Sequence, residues 1–81
     1  MSEVRIKGLL VELRGRYAIP RKKAADELVQ IGAAAVPGLI EALANKSVEV
    51  QQAAVNALLR IGSREALEAV QRWRQQNPTS S

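Results

Sequence analysis

The chain has no cysteine, no histidine and no phenylalanine, and only one tryptophan and one tyrosine. Without Cys or His there is no disulfide, no thiolate or imidazole metal site, no Cys nucleophile and no His-based triad. No metal and no cofactor is therefore expected. The longest nearly uncharged stretch, residues 28–40, is too short to span a bilayer and carries Pro37. Met1 to Arg14 includes Glu3, Arg5, Lys7 and Glu12, unlike a secretory signal. These features predict a soluble, cytoplasmic protein with no membrane partner. Net charge is small: 12 Lys and Arg against 8 Asp and Glu, a formal +4. That excess is below what a dedicated nucleic-acid binder carries.

What is present is Ala, Leu, Val and Ile, within a 47% apolar composition. Ala and Leu favour helix, and disorder is not expected at this hydrophobicity. Eighty-one residues allow one domain. A core this small is marginal unless its packing is efficient or a partner covers part of it.

An offset of thirty residues brings the chain onto itself. Ala24, Leu28, Ile31 and Gly32 fall on Ala54, Leu58, Ile61 and Gly62, and Gly8, Leu9 and Leu13 fall on Gly38, Leu39 and Leu43. The match weakens towards the C-terminus, where Leu43 corresponds to Trp73. Each unit reads as two helices, because its apolar residues recur at helical spacing. The pattern predicts helices over about 2–14, 20–31, 34–44, 48–61 and 64–75. The fold class is then all-α, a solenoid fragment of two and a half helical hairpins that begins halfway through a unit. Residues 1–75 form one domain and 76–81 a flexible polar tail. Pro20 suits a first helical position, Ser47 and Ser63 suit N-caps, and Gly32 and Gly62 suit helix ends.

The runs Lys23-Ala24-Ala25-Asp26-Glu27-Leu28-Val29-Gln30-Ile31-Gly32 and Ala35-Val36-Pro37-Gly38-Leu39-Ile40-Glu41-Ala42-Leu43 resemble HEAT repeats. They look most like the short bacterial subtype of phycobilisome-lyase-type repeat proteins. The likeness covers about residues 4–75 and implies an α-α superhelix that binds other proteins. In that subtype an Asp after the second helix often pairs with an Arg opening the next first helix. The matching positions here are Asn45 with Gln51 and Gly15 with Arg21, so the charged pair is missing. An Asn–Gln hydrogen bond is the expected substitute at the first junction. Arg21 has no side-chain counterpart at Gly15.

Two surfaces are candidates for function. Opposite the buried stripes of the second helices lie Val4, Gly8 and Val11, then Ala34, Gly38 and Glu41, then Arg64, Glu68 and Gln71. A partner helix or peptide could lie along this row; the alternative is a solvated face with stray valines. Arg14, Arg16, Arg21, Lys22 and Lys23 form a basic patch around Tyr17. Three of these cations stand at an expected helix start, where the dipole disfavours them. The patch could hold phosphates or an acidic protein surface, or could simply be solvated. Neither end of the array carries a strongly polar capping helix, so the ends could bury against a partner or a second copy. Trp73 reads as a packing residue with little to cover it.

Catalysis is not expected. Asp26 and Glu27 are adjacent on a helix and diverge; Glu65 and Glu68 share a face but sit in a first turn, where acids are ordinary. No phosphate-binding loop, nucleophile elbow or metal-ligand set is present. The expected role is a protein-interaction module or small scaffold. The alternatives are a nucleic-acid binder using the basic patch, and an accessory in bilin or phycobiliprotein maturation.

Overall fold

A computed structural model describes residues 2–77 of the chain. It contains five α-helices: α1 (Ser2–Leu13), α2 (Ala18–Ile31), α3 (Val36–Ala42), α4 (Val48–Ile61) and α5 (Arg64–Gln76). A 3₁₀ turn, Gly32–Ala35, leads from α2 into α3. No strand occurs among the described residues. The fold class is all-α, as the repeat pattern predicts.

Helices α1, α3 and α5 lie side by side in one layer, and α2 and α4 make the second. α4 sits between α3 and α5 at the back of the first layer, and α2 backs α1. The molecule measures 35 × 27 × 16 Å, and the short dimension is what two stacked helices occupy. The largest fully buried side chains include Leu13, Leu28, Leu39 and Leu58, and Leu9 is nearly so. These are the residues that the thirty-residue offset superposes. Burying one such Leu contributes roughly 1.5–3 kcal/mol. Among the described residues no polar or charged residue is fully buried, so the core is held by apolar contact alone.

The local signals behave with three differences. Ser47 and Ser63 cap α4 and α5: the backbone N–H groups of Val50 and Ala66 donate to their hydroxyls. Gly62 closes α4 in the left-handed conformation at φ 69°, its N–H returning to the Leu58 carbonyl. Gly32 also has positive φ, 83°, but with ψ −132°, and it feeds the 3₁₀ turn. A Cβ at Gly32 would touch nothing within 4 Å, so the dihedral alone demands glycine there. The helix expected over 34–44 is therefore part 3₁₀ and part α.

The second difference is at the start of α2. The helix begins at Ala18, so Pro20 is its third residue rather than its first. The proline still replaces an N–H that has no intrahelical acceptor, since the first four are all free. Arg21, Lys22 and Lys23 consequently lie two residues, about half a turn, further in than expected. The third concerns the C-terminus. Gln76 belongs to α5, and Asn77 is fixed to Trp73: its backbone N–H and its side-chain amide both donate to the Trp73 carbonyl, at 3.0 and 2.8 Å. The rest of the expected tail, 78–81, lies outside the described residues.

Candidate interaction surfaces

The α1/α3/α5 layer keeps one side packed on α2 and α4. On α1, Val4 is 77% and Val11 62% exposed, two turns apart on one face with exposed Gly8 between. Beside α1, Ala34 of the 3₁₀ turn and Glu41 of α3 are exposed. Gly38 is not part of this surface. A Cβ there would collide with the Leu10 side chain of α1, so Gly38 is the point where α3 approaches α1. The helical repeat around Glu41 instead exposes Pro37 and Ala44, four residues before and three after it. Sequence reasoning missed both, although the i, i+3, i+4, i+7 pattern from Ala34 already contains Pro37 and Glu41. On α5, Arg64, Glu68 and Gln71 are exposed, and Arg64 Nε stands 3.7 Å from Glu68 Oε2. Such a surface pair contributes little to stability.

The basic patch is divided by the fold. Arg14, Arg16, Lys22 and Lys23 are exposed. Arg21 is turned inward: its Nη2 donates to the Gly15 carbonyl at 3.1 Å, and its Nε is buried with no acceptor among the described residues. The counterpart Arg21 lacked in side-chain terms is thus a backbone carbonyl. The same holds thirty residues on, where Gln51 Nε2 donates to the Asn45 carbonyl at 2.5 Å. The Asn45 side chain accepts from the Ser47 N–H instead, so the expected Asn–Gln side-chain bond is replaced by a side-chain-to-backbone bond.

Two ion pairs join the helices. Arg5 on α1 meets Glu27 on α2, and Arg60 on α4 meets Asp26 on α2, both at 2.6 Å. The Arg60 hydrogen bond, with help from Lys22, holds the Asp26 carboxyl below its ordinary range. Glu49 is also held low, first by its own backbone N–H, then by the Ser47 hydroxyl, with Arg21 adding to the effect.

Between α2 and α4 runs a cleft of about 330 Å³ with Ala18, Ala25, Ala53 and Ala57 in its lining. A wider opening of about 700 Å³ adjoins it through Ala18, Arg21 and Glu49 and reaches Arg14 and Arg16. Trp73 is half-buried and covered, contrary to expectation. Its indole N–H donates to the Leu43 carbonyl at 3.2 Å, binding α5 to α3. The exposed apolar residues near the end of the array are Val48 and Leu59 on α4 and Leu67 on α5. By the thirty-residue offset Val48 and Leu59 correspond to Ala18 and Val29; Ala18 lines the α2–α4 cleft and Val29 packs on the core. No helix of the described residues stands beyond α4 to cover them.

Two helices per thirty residues, stacked in two layers with the main inter-unit contacts made to a neighbour, is the architecture of a helical-repeat array. The family model for HEAT repeats matches residues 6–80. The chain belongs to the HEAT-repeat family. No curated protein and no solved structure matches it. HEAT repeats generally mediate protein interactions and are typically non-enzymatic. Among the described residues of this HEAT-repeat chain, no helix is long and apolar enough to cross a membrane.

Proposed function

We propose that this HEAT-repeat chain is a non-catalytic protein-interaction module that binds a partner on the open side of the α1/α3/α5 layer. The observation that carries this reading is the exposure of Val4 and Val11 on one face of α1, beside exposed Pro37 and Glu41 on α3. Two large aliphatic side chains seven residues apart present the spacing that an amphipathic partner helix engages. Arg64, Glu68 and Gln71 supply a polar margin. The non-catalytic part is supported by the family, which is typically non-enzymatic.

Affinity capture from the source cell, with Val11→Asp/Glu41→Lys as the comparison, tests the reading. A protein retained by the wild type and lost with the double variant is the expected result. Equal retention by both would remove this face from the function.

The exposed apolar side chains of Val48, Leu59 and Leu67 favour self-association as a second mode, since a second copy could cover them. Sedimentation at rising concentration should show mass above one chain, and Leu59→Lys should return it to one. Nucleic-acid binding through the basic patch is less favoured, because Arg21 is committed to Gly15 and Glu49 lines both openings that Arg14, Arg16 and Lys22 border. Affinity for DNA or RNA that falls steeply with salt would revive it. The lyase-like subtype, and with it a role in bilin maturation, is carried by the two residue runs alone; a change in bilin absorbance on mixing tests it.

A further inference from the structure

The α2–α4 cleft lies on the layer opposite the surface just described, and the proposed function makes no use of it. Its floor is methyl groups. Ala18, Ala25, Ala53 and Ala57 leave room for a foreign main chain to come close to both helices. Its charge is lopsided. At the far end Arg60 is matched by Asp26. At the near end Arg14 and Arg16 have no carboxylate within ion-pair distance among the described residues, and Glu49 lines the same opening; Lys22 lines the cleft itself, unpaired at ion-pair distance though close enough to act on Asp26. Arg21, in the wall shared by both openings, has spent one N–H on Gly15 and leaves its Nε unmatched.

We propose that this cleft is a docking site for an acidic segment of another protein, rich in small residues. Its carboxylates lie at the Arg14–Arg16–Lys22 end, and its small residues lie over the alanine floor. Charge complementarity selects the acid, and small side chains let its main chain approach the alanine lining. A peptide fits better than a nucleic acid for an electrostatic reason. Phosphates follow one another at every nucleotide and would have to pass Glu49 and Asp26, whereas a peptide can place its charges only where the cations are.

The test is titration of the full ¹⁵N-labelled chain at low salt with a short peptide that has Glu residues at one end and Ala and Gly at the other, its Gln counterpart, and single-stranded oligo-dT. The expected result is saturable shifts of the Ala18, Lys22, Ala53 and Ala57 amides with the Glu peptide. Binding of the Gln peptide should be weaker by about tenfold or more, the order that a few charge contacts supply. The exposed pair Arg16→Glu/Lys22→Glu should lower affinity by a similar factor without loss of helicity. Ala53→Leu, which fills the floor, should abolish binding. Four results would overturn the proposal: no saturable shift, equal binding of the Gln peptide, shifts at Val4, Val11 and Glu41 instead, or tighter binding of oligo-dT in the cleft. Shifts mapped to one layer or the other also separate this site from the α1/α3/α5 surface.

Discussion

Arg21 donates to the carbonyl of Gly15 across 3.1 Å, closing the loop between α1 and α2 with a side-chain bond to backbone. Gln51 does the same to Asn45 at the next junction, again six residues back. What the repeat preserves at this joint is a donor aimed at a carbonyl, and two different residue types supply it. Arg21→Gln should therefore cost less stability than Arg21→Leu, which removes the donor. Gln51→Leu should cost about 1 kcal/mol, as for one lost hydrogen bond. Gln51→Glu should cost more, since it turns an acceptor towards an acceptor. Urea unfolding of the four variants checks the ranking; equal loss for Arg21→Gln and Arg21→Leu would show that the donor is immaterial.

Gly8 and Gly38 are superposed by the repeat, yet they should respond oppositely to alanine. Around Gly8 a Cβ meets nothing within 4 Å. Gly8→Ala in mid-helix should stabilise by roughly 0.5–1 kcal/mol through helix propensity. At Gly38 the new methyl collides with Leu10, which is itself buried in the core. Overpacking of this kind costs roughly 1–3 kcal/mol, more than propensity returns. Thermal melts should rise for Gly8→Ala and fall for Gly38→Ala. Two rises would mean that Leu10 moves aside freely.

Acid should loosen the α2–α4 joint. Asp26 has an ordinary value of 3.8 and Glu49 of 4.5, and both are lowered in the fold. The unfolded chain therefore takes up these protons first as pH falls, so protonation favours unfolding. The contribution is complete well above 4.5 and is lost as pH drops through the ordinary values towards the lowered ones. Both groups are solvent-exposed, so the effect should be small and weakened by salt. Arg60→Gln removes the main cause of the Asp26 shift. Its stability curve should be flatter than the wild type's below pH 4; parallel curves would mean that the pair does not contribute.

Much of the fold could be read from residue order. The thirty-residue offset, two serine caps and two glycine stops define five helices because helical spacing and capping are local chemistry. The ends moved where local rules admit several answers: Pro20 is tolerated at any of the first helical positions, and Gly32 with three alanines suits a 3₁₀ turn as readily as an α-helix. Pro37 was missed on the open face because Gly38, one position on, was taken as the surface residue there, and Ala44 lies beyond the end of α3 at Ala42.

The residue order by itself determined an apolar seam at a helical period and a second copy of it, which is enough to specify stacked hairpins of the HEAT kind. Tertiary packing decided which way the ambiguous side chains went. Arg21 left the basic patch for a carbonyl, Gly38 left the surface for Leu10, and Trp73 went under cover with its N–H on Leu43. The physical reason is that a periodic pattern states which side of a helix avoids water. It does not state which neighbour arrives at each flank, and these three side chains stand where two helices or a loop and a helix meet.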